Sequence, residues 1–377
     1  MYVKELALRD FRSYEHVSVA FPAGVSALVG SNGQGKTNLV EAAAYIASLG
    51  SHRVATDAPL IRRGASSAVV RAVASHAERD IELQVEIDAQ RPNKALLNRS
   101  PLKRPRDLLG YLNVVVFAPE DLALVKGDPS DRRHFLDQTL IALSPRLAGT
   151  RSDLDRVLKQ RNALLKTAQH AARRSASDVM HTLDAWDAQF ARLSAQLVLQ
   201  RLHLIDELSP HAADHYTMVS DDRGPFAMQY ECSLPEQPAS RDEADWEQAY
   251  LAALLDRRSD EIERGITLVG PHRDELALSV RDLPVKGYAS HGESWSAALT
   301  LRLAAFELLR RDRAGGDPIL ILDDVFAELD ARRRERLAEF AHRAEQTIIT
   351  AAVVEDVPAV LRGAQFQVSG GEVRRVE

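Results

Sequence analysis

Eight residues near the start of the chain have the types and spacing to hold phosphates. Gly30-Ser31-Asn32-Gly33-Gln34-Gly35-Lys36-Thr37 fits the pattern G-x-x-x-x-G-K-[ST]. Glycines let a backbone wrap round phosphate oxygens with its N–H groups pointing inward. Lys36 would neutralise the β and γ phosphates, and Thr37 would offer a hydroxyl to Mg²⁺. The apolar run before the loop reads as a strand. NLVEAAAYIASLG after it reads as a helix with a stop at Gly50. The helix N-terminus adds its dipole to the anion site. The cofactors expected from this segment are ATP and Mg²⁺.

Such a site needs an acid to complete the Mg²⁺ shell. Pro318-Ile319-Leu320-Ile321-Leu322-Asp323-Asp324 places two acids at the end of an apolar strand. Strand C-termini are where open α/β sheets bind ligands. Asp323 is assigned to Mg²⁺ with Thr37. Asp324 is assigned to orienting or deprotonating a water, so Lys36, Asp323 and Asp324 form the catalytic set. Aspartate reaches one methylene less far than glutamate, which predicts slow turnover. The base-reading Asn-Lys-x-Asp of GTPases is missing, since Asn93-Lys94-Ala95-Leu96 lacks the acid.

The elements needed to position these residues are legible in outline. Tyr2–Asp10, Val17–Phe21 and Val25–Val29 read as short strands. Ile81, Leu83, Val85 and Ile87 alternate with polar residues, as in a half-buried strand that returns through Lys94–Asn98. Tyr111–Phe117 reads as a buried strand. From Asp131 to His215 glycine nearly vanishes and helical spacing takes over. Asp153–Ala172 and Val179–Leu208 are the long segments, with Arg173–Ser177 as a tip. This is a helical arm or a plain helical subdomain. Strands are expected at Ile266–Val269, Glu275–Val280 and Gln346–Ala352, and helices at Glu293–Arg313 and Arg332–Arg343.

Composition sets wide limits. The chain has 377 residues, 45% hydrophobic and 27% charged, as in an ordinary soluble protein of more than one lobe. No apolar run approaches the ~18 residues of a membrane span, and the N-terminus lacks a signal-peptide core, so a cytoplasmic protein is expected. The single Cys232 rules out an internal disulfide and a cysteine-rich metal site. The net charge of −6 excludes a basic field over the whole molecule, so DNA would be met through local patches. Arg99, Lys103, Arg104 and Arg106 form one cluster. Arg151, Arg156, Lys159, Arg161, Lys166, Arg173 and Arg174 form another, either a contact surface for phosphates or a solvated helix face.

Ala289-Ser290-His291-Gly292-Glu293-Ser294 resembles, in weakened form, the serine–glycine loop of the ABC ATPases; alone it also suits a helix cap. Glu328-Leu329-Asp330 resembles the loop that crosses their dimer seam. Further motifs accompany these: Phe11-Arg12-Ser13, Ser51-His52-Arg53, Pro119-Glu120-Asp121, Gly127-Asp128-Pro129, Arg132-Arg133, Phe135-Leu136-Asp137 and Gly270-Pro271-His272-Arg273-Asp274. With them the whole chain resembles the RecF family, the SMC-like branch of the ABC ATPases.

The resemblance implies an α/β ABC-type head, a mixed sheet with flanking helices and an antiparallel β subdomain, carrying an inserted helical arm. The corresponding domains are 1–130, 131–262 and 263–377. It also implies a weak DNA-dependent ATPase, an ATP-dependent homodimer, binding to double-stranded or gapped DNA, and work with RecO and RecR in loading a recombinase. Arg12, Ser290 and Gly292 join Gly30–Thr37 as nucleotide contacts. In a two-fold pair, Ser290–Gly292 of one copy would cover the phosphate loop of the other. An ABC subunit of another system, such as a transporter, is the alternative. The histidine that transporters carry after the Gln346–Ala352 strand is replaced by Thr350 or a neighbour. The glutamine that usually meets Mg²⁺ has no clear counterpart. His272 and Arg273 contact nucleotide or steady a loop.

Overall fold

The computed structural model describes residues 1–77, 79–170, 176–220, 224–311 and 316–376. Its elements in chain order are β1 (Tyr2–Phe11), β2 (Tyr14–Ala20), β3 (Gly24–Val29), α1 (Lys36–Ser48), β4 (Ser67–His76), β5 (Arg79–Asp88), β6 (Lys94–Leu97), β7 (Ser100–Pro101), β8 (Val114–Phe117) and α2 (Ala123–Lys126). Next come α3 (Pro129–Leu143), α4 (Leu147–His170), α5 (Ala176–Val219), β9 (Phe226–Glu231), α6 (Glu243–Arg264) and β10 (Glu275–Val280). The chain finishes with β11 (Leu283–Pro284), the single turn α7 (Val285–Tyr288), α8 (His291–Arg311), β12 (Ile319–Asp323), α9 (Ala331–Ala341), β13 (Gln346–Ala351), β14 (Ala364–Ser369) and β15 (Glu372–Arg375).

The chain divides into two compact units, one of residues 1–126, 210–226 and 280–377, the other of residues 127–209 and 227–279. The entry into the second unit lies close to the sequence boundary at 131. Its exit does not: residues 263–279 belong with the helical unit and 210–226 with the first. The reason is local. Asn162 and Glu261 side chains bind the backbone of Thr267 and Leu268, tying that segment to α4 and α6.

The first unit contains two six-stranded sheets. One is antiparallel, in the order β2-β1-β4-β5-β6-β7. The other runs β15-β14-β3-β13-β12-β8, parallel from β14 to β8 with β15 antiparallel at the edge. Strands β12 and β13 are buried on both faces and read as continuous apolar or hydroxyl-bearing runs. Helix α1 contributes Leu39, Val40, Tyr45 and Ile46 to a core shared with Leu6, Leu8, Val70 and Val85 of one sheet and Ile321 and Ile348 of the other. Burial of each such side chain stabilises by roughly 1.5–3 kcal/mol. Gln346 at the start of β13 is fully buried, and its amide meets the Val3 N–H (2.8 Å) and the Val3 and Pro22 carbonyls (3.0 and 3.1 Å). All of its polar atoms are therefore satisfied, and β13 is pinned to β1.

The second unit is held by ions in its interior. Arg161 of α4 has no exposed surface. It donates to Asp187 of α5 (2.7 Å), Glu261 of α6 (2.6 Å) and Thr267 (2.8 Å). Arg258 adds a second cation to Asp187 at 2.6 Å.

Three expectations change here. Ile266–Val269 is not a strand: the Ile266 N–H goes to the Glu261 carbonyl, and the Asn162 and Glu261 side chains take those of Thr267 and Leu268. The basic stripe on the arm is broken. Arg161 is interior, and Arg151 is committed to Asp137 and Asp155. Arg173, Arg174 and Ser175 of the expected tip lie outside the described residues, and its last two residues, Ala176 and Ser177, belong to α5. Helix α1 ends on Leu49, in the left-handed region at φ 54°, one residue before Gly50.

Candidate nucleotide-binding site

Strand β3 runs into the loop 30–35, and α1 begins at Lys36. Two glycines are dictated by space and by backbone angle. A Cβ on Gly30 would lie 2.2 Å from the Val368 carbonyl oxygen, backbone that cannot step aside cheaply. Gly35 has φ 108°, closed to L side chains, and a Cβ there would also meet the Tyr14 hydroxyl at 2.6 Å. That hydroxyl donates to the Gly35 carbonyl at 3.1 Å, which fixes the loop's exit into the helix. Gln34 accepts from the Gly370 N–H at 2.8 Å, tying the loop's crest to the β14–β15 turn. Buried Lys36 donates to the Gly30 carbonyl at 2.8 Å and the Ser31 carbonyl at 3.4 Å, so its ammonium spans the loop.

The acids at the end of β12 meet this loop. Thr37 Oγ1 donates to Asp323 Oδ1 at 3.1 Å, across 286 residues of sequence. Thr350, at the end of the neighbouring strand β13, donates to the same oxygen at 2.6 Å. Its hydroxyl also accepts from the Asp324 N–H at 2.8 Å. Asp324 sits at φ 51°, a left-handed conformation that a non-glycine residue adopts only under constraint. One threonine therefore holds the Asp323 carboxylate and the Asp324 backbone. Burial pushes the Asp323 carboxyl up to about 6, aided by the charges of Asp324 and Glu120 and opposed by the bonds from Thr350 and Thr37. A buried carboxylate held by hydroxyls and short of a cation fits a divalent metal. Loop, ammonium, hydroxyl and acid thus have the chemistry to hold a magnesium nucleotide.

A second layer braces the helix. Glu41 of α1 is fully buried and takes a two-pronged pair from Arg12 (2.8 and 2.6 Å), a bond from Ser51 (2.5 Å) and one from Arg53 (3.2 Å). Burial would raise the Glu41 carboxyl. The bonds and charges of Arg12, Ser51 and Arg53 outweigh it and hold it below the usual range. Arg12 is thus engaged with α1, and its side chain also donates to the Pro59 carbonyl at 3.1 Å.

The expected serine–glycine loop opens α8. Ser290 and Glu293 exchange bonds, Ser290 N to Glu293 Oε2 at 2.8 Å and Glu293 N to Ser290 Oγ at 3.2 Å. This is a capping box. Ser290 Oγ accepts in it, so its own proton stays available to donate. Gly292 lies under Arg333, whose guanidinium nitrogens would be 3.2 Å from a Cβ there. Arg333 also donates to Ser296 at 2.9 Å and pairs with Asp330, linking this loop to Glu328–Asp330.

Sequence reasoning missed two neighbours. Thr350 was visible only as the absence of a histidine. Glu120 was placed in a motif without a role. Strand β8 lies beside β12 in parallel, with Phe117 opposite Leu322, which carries Glu120 to the end of the sheet where Asp323 feels its charge. His272 and Arg273 both bond to the Thr267 carbonyl (3.3 Å, and 2.9 Å from Arg273 Nη2), which steadies their own loop.

A parallel sheet with this loop, strand-end acids, a serine–glycine turn on α8 and an antiparallel sheet beside it is the head of an ABC-type P-loop ATPase. The chain matches the RecF/RecN/SMC N terminal domain model over residues 2–361, and it belongs to that family and to its RecF branch. It is 55% identical to the DNA replication and repair protein RecF of Streptomyces avermitilis, over 100% of both chains. The same-named protein of Frankia alni is 53% identical, again over 100% of both. Among solved structures, "Structure of the recombination mediator protein RecF-ATPrS in RecFOR pathway" is similar with a TM-score of 0.89 and 25% identity, over 100% of this chain and 98% of that one. The transporter alternative finds no support in these relatives. No helix among the described residues is long and apolar enough to cross a membrane.

Proposed function

We propose that the chain is an ATP-dependent DNA-binding protein of replication and recombinational repair, and that ATP closes two copies of it around DNA. The observation that carries this reading is the Thr37–Asp323–Thr350 chain of bonds, which joins the phosphate loop to the strand-end acids. Gly30–Thr37 and Lys36 would hold the triphosphate, and Thr37 and Asp323 would hold Mg²⁺. Bound Mg²⁺ would draw charge from the β and γ phosphates. Asp324, fixed by Thr350, would align a water and take its proton. The Ser290 hydroxyl and the Gly292 backbone of one copy would face the γ phosphate held by the other.

The names of the relatives support a repair role; the chain would work with RecO and RecR, in the cytoplasm. DNA would be recognised by backbone and form rather than sequence. The exposed turn carrying Arg99, Lys103 and Arg104 is the better candidate contact now that Arg151 and Arg161 are internally paired. Gel filtration with ATP, ADP or neither, with and without gapped duplex, tests the proposal. An ATP-dependent dimer that retains duplex at moderate salt supports it. Elution indifferent to ATP, with or without DNA, would overturn it.

A further inference from the structure

The helical unit contains a cavity of about 190 Å³ lined by Ser130, Arg133, Asp137, Arg151, Arg201 and His272 among others. Two motifs that the nucleotide site leaves unused, Arg132–Asp137 and Gly270–Asp274, converge on it. Liquid water takes ~30 Å³ per molecule, so the space holds a tetrahedral oxyanion with part of its hydration.

The charges inside are unevenly matched. Arg201 is almost fully buried and heavily engaged: it grips Asp137 with two bonds (2.8 and 2.9 Å) and donates to the Pro271 carbonyl at 2.8 Å and the Tyr230 hydroxyl at 3.1 Å. Arg151 shares Asp137 at 2.7 Å and pairs with Asp155. Among the described residues, half-buried Arg133 has one side-chain bond, to the Asp274 carbonyl at 2.8 Å. Every carboxylate whose charge reaches it is already engaged elsewhere. Asp137 is held by Arg201 and Arg151. Asp274 takes Tyr230 OH at 2.5 Å and the Ser233 N–H at 2.7 Å. Glu275 takes both prongs of Arg132, at 2.7 and 2.6 Å. Burial, with the neighbouring Arg201, lowers the Arg133 pKa against the opposing charges of Glu275, Asp274 and Asp137. On the cavity wall, His272 Nδ1 is buried with no hydrogen-bond partner among the described residues.

We propose that this cavity is a phosphate-binding site in which Arg133 supplies the uncompensated charge and its planar fork grips two oxygens. A guanidinium suits a phosphate in that geometry. The phosphate belongs either to a nucleic-acid backbone or to a small phosphorylated molecule. The first source rests on the DNA-binding reading above; the site itself does not.

The test is calorimetric titration of the full chain with inorganic phosphate, the nucleotide site first saturated with Mg²⁺ and a non-hydrolysable ATP analogue. Acetate at equal ionic strength is the control for screening. The wild type should bind phosphate and not acetate. Arg133→Gln should bind phosphate at least about tenfold more weakly, the loss of one charge-assisted bond or more, and Arg133→Lys should fall between. Retention of duplex DNA by the same proteins separates the sources. A weaker hold, with a salt slope smaller by about one, assigns the site to the backbone. Unchanged DNA binding beside lost phosphate binding assigns it to a small ligand. Phosphate binding equal in wild type, Arg133→Gln and Arg133→Lys would overturn the proposal, as would none in the wild type. Far-UV circular dichroism establishes that the variants fold, and Arg133→Lys keeps the test open if the glutamine variant does not.

Discussion

Asp324 holds a left-handed conformation, and its N–H is bound by one hydroxyl, Thr350 Oγ1. Asp324→Asn keeps the size and the backbone bond and removes the base. ATP affinity should stay within about twofold while hydrolysis is abolished, as read by fluorescent-nucleotide titration and phosphate release; unchanged turnover contradicts the role given to it. Asp323 allows a prediction about pH. Its carboxyl titrates at about 6 in the fold, above the unfolded value, so the folded state binds the proton more tightly. Its contribution to stability is complete below about pH 4 and is lost as pH rises through 6. Asp323→Asn removes that loss. Without Mg²⁺ or nucleotide the variant should be more stable than the wild type at pH 8 by about 1–3 kcal/mol, and no more stable at pH 4. Urea unfolding at the two pH values measures this, and equal stabilities at pH 8 would contradict a buried carboxylate short of a cation. The phosphate loop and both acids were legible in the sequence because their residue types and neighbours are specific. Thr350 and Glu120 were not, since what gives them a role is the adjacency of β8, β12 and β13, which residue spacing does not reveal.

At the scale of elements, β12 stood out as an unbroken apolar run, β5 by its alternation, and the helices by their Ala- and Leu-rich spacing. The failures have physical causes. Ile266–Val269 is apolar like a strand, but its N–H groups belong to Asn162 and Glu261. Arg161 looks like a surface cation on a polar helix, yet it ties α4, α5 and α6 together from inside. Arg161→Met should destabilise the protein by about 3–5 kcal/mol in chemical denaturation, because Glu261 and Asp187 lose a buried partner. A change under 1 kcal/mol would put Arg161 back on the surface. The junction of β3 and α1 is as tight: Gly30→Ala drives a methyl into the Val368 carbonyl. Nucleotide affinity should fall at least about tenfold, since the loop or β14 must shift before the backbone can wrap phosphates; equal affinity in the same titration would contradict it.

For the whole molecule, a net charge of −6 argued against a broad DNA-binding surface, and the structure narrows the choice further by pairing Arg151 and Arg161. What remains basic and exposed is local. The serine–glycine loop is well ordered by its own cap, on a helix separate from the phosphate loop's, which is the arrangement a site shared between two copies requires. The most direct test of that claim is sedimentation velocity of Ser290→Arg beside the wild type, each with ATP, ADP or no nucleotide. The wild type should become a dimer with ATP alone, while Ser290→Arg should bind ATP as tightly and remain a monomer. A Ser290→Arg protein that dimerises with ATP as the wild type does would contradict the account.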